Sequence, residues 1–158
     1  MDPEVTAQLA DRGIDELYAH QADVIEAIRR GQNVVLATPT ASGKSLTYTL
    51  PALEHARDHD GRTLYIGPQA ALINDQEATL SAFAEPFEDV SVTQYTGALS
   101  SVERQQARDV DPSIVLTSPD MLHCGRANEP LDKRLAATLT MALADPNRQG
   151  GTVEPKSD

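Results

Sequence analysis

NVVLATPTASGKSLTYTL, Asn33 to Leu50, is the stretch from which the rest of the chain can be read. Its opening, Asn33 to Ala37, is a short apolar run of the kind found in a strand buried on both faces of a parallel sheet. Lys44 onward reads as a helix, and between the two lies TPTASGKS, Thr38 to Ser45. A loop between a buried strand and a helix start is the setting a phosphate loop requires. Backbone N–H groups of Thr40 to Lys44 would turn inward on phosphate oxygens, and the helix N-terminus would add about half a positive charge. The candidate phosphate ligands are therefore Thr38, Pro39, Thr40, Ala41, Ser42, Gly43, Lys44 and Ser45. Gly43 lets the main chain approach closely, Lys44 supplies a point charge, and Ser45 offers a hydroxyl to magnesium.

Working outward, the segment from Asp15 to Arg30 spaces Leu17, Ala22, Ile25 and Ile28 close to a helical period, with Gly31 as a stop. After the phosphate loop, Lys44 to about Asp58 reads as a helix that Pro51 should kink or interrupt. The alternation then repeats. Thr63 to Gly67 reads as a strand, Gln69 to Ala84 as a helix and Val90 to Tyr95 as a strand; Ser101 to Asp109 follows as a helix and Ser113 to Ser118 as a strand. Strand and helix in turn, joined by short links, imply an α/β domain: a mostly parallel sheet with helices on both faces. Ligands of such sheets sit beyond the carboxyl ends of the strands. Past about Gly125 the pattern changes. Leu131 to Ala144 reads as one amphipathic helix, no further strand-like run is expected, and Asn147 to Asp158 has the composition of a disordered tail. The division expected is thus 1–125 for the α/β domain and 126–158 for a divergent segment.

Composition narrows the setting. A length of 158 residues with 40% hydrophobic side chains suits one domain. The N-terminus is acidic and polar where a secretory signal would be basic and then apolar, so a cytoplasmic protein is expected. Cys124 is the one cysteine, which forms neither an internal disulfide nor a CxxC metal site. Asp and Glu number 24 against 13 Lys and Arg, a formal net charge of -11, and only Lys44, Lys133 and Lys156 are lysines. That balance resembles proteins adapted to concentrated salt, where a Debye length of about 3 Å screens net repulsion from a polyanion.

TPTASGKS has Thr38 where the common GxxxxGK[ST] pattern begins with glycine, and it is similar to the TxTASGKS form of one branch of superfamily 2 helicases, the DEAD/DEAH-box type. Three further stretches resemble that family in order and spacing. GPQAALINDQ, Gly67 to Gln76, is similar to its PTxALxxDQ motif, with Gln69 in place of a threonine and Ala70 in place of a basic residue. QYTGALSSVERQQ, Gln94 to Gln106, looks like its glycine-bearing turn, with Thr96 where an aspartate is common. IVLTSPDMLH, Ile114 to His123, is similar to its TxPDMLH motif. The resemblance covers Leu17 to His123 and implies part of a RecA-like ATP-binding domain, with ATP and magnesium as cofactors and DNA or RNA as partner. It also implies that Gln21, within LYAHQ, reads adenine through an amide that both donates and accepts. Pro68, Gln69, Gly97, Thr117, Pro119 and Asp120 would meet the nucleic acid.

The family hydrolyses ATP with carboxylates from a DExH or DEAD sequence, and none occurs here. After the TxPDMLH-like motif the chain runs on as CGRANEPLDKRLAATLT, with neither Glu129 nor Asp132 behind an apolar strand. No catalytic residue is assigned. The expectation is a truncated or frame-shifted product, or a fragment whose remainder is encoded separately, binding nucleotide without turning it over. The alternative is a non-catalytic remnant that binds a nucleotide or a partner; a small phosphate-loop kinase or GTPase is disfavoured by Thr38. Elsewhere, His55 and His59 stand four apart beside Glu54 and Asp58 but lack an HExxH order, so a solvated helix face is expected there. Arg29 and Arg30 read as solvated, and Arg104 and Arg108 as candidates for a nucleic-acid backbone.

Overall fold

The fold is that of a computed structural model, in which residues 3–37, 43–57, 61–125 and 138–142 are described. In chain order the elements are α1 (Pro3–Asp11), α2 (Ala19–Arg29), α3 (Lys44–Arg57), β1 (Arg62–Ile66) and α4 (Ala70–Ala84). Then follow β2 (Val92–Tyr95), α5 (Ser101–Asp109), β3 (Ile114–Thr117), α6 (Pro119–Gly125) and β4 (Thr138–Ala142). The strands form one sheet in the order β2-β3-β1-β4, every pairing parallel. Non-consecutive neighbours need crossovers, and α4 and α5 supply them, so the α/β reading of the alternating segments holds.

Two strand expectations change. Asn33 to Ala37 is irregular rather than a strand, with Val35 97% exposed. Its apolar content suits a central strand, but a strand is stable only where neighbours accept its backbone hydrogen bonds, and β1 already pairs with β3 and β4. Within the stretch expected to be a helix from Leu131 to Ala144, and expected to hold no strand, Thr138–Ala142 is β4. The segment TLTMA alternates Thr138 and Thr140 with Leu139 and Met141, a period of two carried by β-branched residues, which outcompetes the helical period read across the longer window. The remainder of that stretch and the expected disordered tail lie outside the described residues.

The core gathers on the face of β1 that carries Tyr65. Leu50 and Leu53 from α3, Ile73 and Leu80 from α4, and Ile114 and Leu116 from β3 are all at or below 1% exposure. Pro51 neither ends nor interrupts α3. It lies buried in mid-helix, where its missing N–H leaves the Thr47 carbonyl without its usual donor. The Thr47 hydroxyl bonds back to the Lys44 carbonyl at 2.6 Å within the first turn.

Arg29 is exposed, as expected, but it is also paired. It makes two bonds to the Glu54 carboxylate, at 2.9 and 2.6 Å, joining α2 to α3. This fork-to-carboxylate geometry holds the Arg29 guanidinium charged more firmly than usual, chiefly through the Glu54 hydrogen bond. It also commits Glu54 to an arginine, and among the described residues no group of three His, Cys, Asp or Glu side chains comes together as a metal site. His59 lies outside the described residues. No described helix is long and apolar enough to cross a membrane.

Candidate functional site

Parallel register brings three loops to one rim of the sheet. Thr117, the last residue of β3, pairs with Ile66 of β1 on one side and Tyr95 of β2 on the other. The chain therefore leaves all three strands at the same level: into Gly67, Pro68 and Gln69 after β1, into Thr96 and Gly97 after β2, and into Pro119 and Asp120 after β3. The Gly67 N–H donates to the Thr117 carbonyl at 2.9 Å, fastening the first loop to the third. Pro68, Gln69, Gly97, Pro119 and Asp120 are exposed along this rim. Asp120 stands in the first turn of α6, where its charge meets the positive end of the helix. Thr117 itself is buried, and its hydroxyl donates to the Tyr95 carbonyl at 2.7 Å, leaving only its lone pairs for any further contact.

Glycine has different reasons at two points of the rim. A Cβ on Gly67 would lie 2.6 Å from Ile73 Cγ1 and 3.2 Å from Tyr65 Cε1, so the turn closes directly on the core. A Cβ on Gly97 would meet only Met121 Sδ, at 3.7 Å, an ordinary contact. The fold leaves room for a side chain at Gly97.

Of the phosphate-loop residues, Gly43, Lys44 and Ser45 are described; Thr38, Pro39, Thr40, Ala41 and Ser42 lie outside the described residues. Gly43 has φ +70°, in the left-handed region, and Lys44 and Ser45 open α3 directly after it. Gln21 is 2% exposed and spends its amide on the protein. Its Nε2 donates to the Gly43 carbonyl at 2.8 Å, while its Oε1 accepts the Tyr18 N–H at 2.8 Å and caps α2. These two bonds use one amide N–H and one lone pair of the Gln21 side chain. Tyr18 is largely exposed and stacks on His20, with ring centroids 5.8 Å apart.

Residues to which the sequence reading gave no role form a polar cluster between α3 and α4. Tyr48, one turn beyond Lys44, donates its hydroxyl to Gln76 Oε1 at 2.7 Å, and Gln76 Nε2 donates to Asp75 Oδ2 at 3.1 Å. The Tyr48 ring lies 5.9 Å from that of Tyr65, tilted by 52°. Burial, with a smaller push from the Asp75 charge, raises the Tyr48 phenol to about 12. Burial, then Tyr48 and Asp75, raises Tyr65 as well. The signals in the sequence were the spacing of four between Lys44 and Tyr48, which puts both on one helix face, and the place of Asp75 and Gln76 in the PTxALxxDQ-like stretch. A folded pKa above the ordinary value near 10 stabilises the protein while the phenol is neutral. That contribution is complete below pH 10 and is lost as the pH climbs toward 12. Urea unfolding at pH 9 and again near pH 11 is expected to show a loss of stability that shrinks in Tyr48→Phe. An equal loss in both proteins would place the alkaline sensitivity elsewhere.

At the far side of the rim a capping box starts α5. The Ser100 N–H donates to Glu103 Oε2 at 2.7 Å and the Glu103 N–H donates to Ser100 Oγ at 3.3 Å. Hydrogen bonding to Ser100, its side chain first and its backbone N–H second, holds the Glu103 carboxyl below its ordinary value. Arg104 is half-buried on this helix; the side chain of Arg108 lies outside what is described.

Gly43 thus opens α3 beside Gln21, and three loops share one rim. The family model for DEAD/DEAH box helicases matches residues 18–136. The chain belongs to the DEAD/DEAH box helicase family. Within the family it is 42% identical over 125 residues to the ATP-dependent helicase YprA of Bacillus subtilis, matching 78% of this chain and 17% of that protein. It is 34% identical over 113 residues to the ATP-dependent helicase HRQ1 of Saccharomyces cerevisiae, covering 69% of this chain and 10% of that one. Among solved structures, the DUF1998 helicase MrfA bound to DNA and AMPPNP superimposes with a TM-score of 0.73 at 42% identity, over 78% of this chain and 17% of that one. The helicase Lhr of Mycobacterium smegmatis, at 23% identity and a TM-score of 0.72, shares the fold, over 87% of this chain and 19% of its own. The chain spans a fifth or less of the length of these relatives.

Proposed function

We propose that this chain binds ATP with magnesium and a nucleic-acid strand, DNA or RNA, as the nucleotide-binding part of a helicase, without hydrolysing ATP by itself. The observation that carries the reading is Gly43 at φ +70°, held by Gln21 and opening α3 with Lys44 and Ser45. The N–H groups of a helix start, with a lysine and a hydroxyl beside them, suit a phosphate and its magnesium ion. Lys44 would meet the β and γ phosphates, Ser45 the magnesium, and the unspent half of the Gln21 amide the adenine edge, alongside Thr38, Pro39, Thr40, Ala41 and Ser42 of the loop. Bound magnesium supplies charge neutralisation across the phosphates. Support for the nucleic-acid side comes from the shared rim of Pro68, Gln69, Gly97, Pro119 and Asp120, with Thr117 beneath it, and from the likeness to a helicase solved on DNA with AMPPNP. The net charge of -11 makes local contacts, rather than a general field, responsible for holding a polyanion.

Binding without turnover rests on the chain carrying no DExH or DEAD sequence. A separate polypeptide bearing those carboxylates would complete the motor. The run Asn33 to Ala37, exposed save for the half-buried Leu36 and in no strand among the described residues, favours such a partner, because an apolar segment of this kind gains most from a strand laid beside it.

Titration of a fluorescent ATP analogue with magnesium in molar salt tests the reading. Saturable binding that unlabelled ATP displaces is expected, weakened roughly 10- to 150-fold in Lys44→Ala, the worth of about 1.5–3 kcal/mol for hydrogen bonds to a charged group. No saturable binding by the folded protein refutes it. Steady ATP hydrolysis that vanishes in Lys44→Ala refutes the absence of turnover while keeping the binding site.

A further inference from the structure

We infer that Tyr48 is a positioning residue that couples the nucleotide end of the domain to the nucleic-acid rim, through its hydrogen bond to Gln76 and its ring contact with Tyr65. The inference rests on the proposed function and adds to it which side chains link the two sites. Tyr48 follows Lys44 by four residues on α3, so a shift of the first helical turn around a bound phosphate moves the tyrosine with it. From Tyr48 two routes converge on the turn from Gly67 to Gln69. One runs through the hydroxyl to Gln76 on α4, the helix that begins directly after Gln69 and packs Ile73 where a Gly67 side chain would stand. The other runs through the ring to Tyr65, whose edge lies beneath Gly67.

The cluster also has the means to hold two arrangements. Gln76 is 7% exposed and divides its amide between Tyr48 and Asp75, so any displacement of Tyr48 leaves a buried carbonyl in need of a donor. The Tyr65 hydroxyl is buried beside this group with no partner among the described residues. It is a ready donor for a second arrangement. A packed polar group with one donor too many switches between discrete pairings more readily than it deforms continuously, and that is the property a coupling element requires.

A shared path through space does not by itself establish coupling, so the test reads the coupling itself. Affinity for a fluorescent ATP analogue with magnesium is measured with and without a saturating single-stranded oligodeoxynucleotide, then with an oligoribonucleotide, and the ratio gives the coupling factor. The wild type is expected to show a factor of about 5 to 150, as is usual between linked sites. In Tyr48→Phe the factor is expected to fall toward one, while each ligand alone binds within about twofold of wild type, since neither touches the hydroxyl. Gln76→Met should reduce the factor equally, and the double variant no further, as for two ends of one bond. Phe87→Leu, which loosens the core under Arg57, controls for destabilisation and should leave the factor intact. Ligands that bind independently in the wild type, or a factor that survives Tyr48→Phe, overturn the inference and leave the proposed function standing. A wild type that binds neither ligand overturns both.

Discussion

Gly43→Ala is expected to cripple the proposed nucleotide site while its neighbours Lys44 and Ser45 remain in place. Two independent costs meet at this position. An alanine at φ +70° enters the left-handed region, at about 1–2 kcal/mol. Its Cβ would also lie 2.4 Å from Gln21 Nε2, so the amide that donates to the Gly43 carbonyl has to move. Losing that bond costs about 1 kcal/mol, and leaving the buried amide unpaired costs about 1–3 kcal/mol more. The combined effect is about 3–6 kcal/mol, divided between stability and ligand affinity. Affinity for the ATP analogue should fall by at least about 100-fold, near 2.7 kcal/mol, and the thermal midpoint should drop. Gly97→Ala is the matched control, because its Cβ meets only Met121 Sδ, and the thermal midpoint should stay where it is. Wild-type affinity in Gly43→Ala would mean that the loop does not need this backbone geometry to hold phosphate.

Leu53→Ala carries the largest expected effect on stability alone. Leu53 is fully buried on α3, in the cluster that also holds Leu50, Tyr65 and Leu80. Removing three carbons there sacrifices transfer free energy and leaves a cavity that a helix tied to α2 by Arg29 and Glu54 is poorly placed to close. A loss of about 3–5 kcal/mol is expected, a large share of the 5–15 kcal/mol that typically separates folded from unfolded domains. Denaturant unfolding should show a lower midpoint with the slope unchanged. Ile114→Val, also in the core, should cost only about 0.5–1.5 kcal/mol and so remain measurable if Leu53→Ala does not fold. Val102→Ala, at a position 64% exposed, should change stability by less than about 0.5 kcal/mol. Similar losses for Leu53 and Val102 would contradict the assignment of the core.

What the sequence disclosed followed from how local each signal was. α5 was expected at Ser101 to Asp109 and is found there, because its limits are set by neighbours a few residues away, Ser100 and Glu103. β1, β2, β3 and α4 came within two residues for the same reason. Asn33 to Ala37 could not be judged locally, since whether an apolar run becomes a strand depends on a partner from a distant part of the chain. TLTMA was hidden because five residues of alternation sit inside a longer stretch whose leucines also suit a helix. Motifs single out the loop residues that the structure places on one rim, but not the hydrogen bonds of the Gln21 amide and the Thr117 hydroxyl, because partners 22 residues away leave no periodicity to detect. The bond between Tyr48 and Gln76, 28 apart, was beyond reach for the same reason.

The first helix bears on where this domain should be said to begin. The family match starts at Tyr18, yet Val5 and Leu9 of α1 are buried in the core, and Arg57 of α3 pairs with Glu4 while lying 4.4 Å over the Phe87 ring. Cutting the chain at the homology boundary would strip two anchors worth about 1.5–3 kcal/mol each and open the cluster beneath them to water. Sequence kinship and physical integrity draw different borders here, and a shortened protein that begins at Tyr18 would keep every motif while losing part of the packing that supports α3.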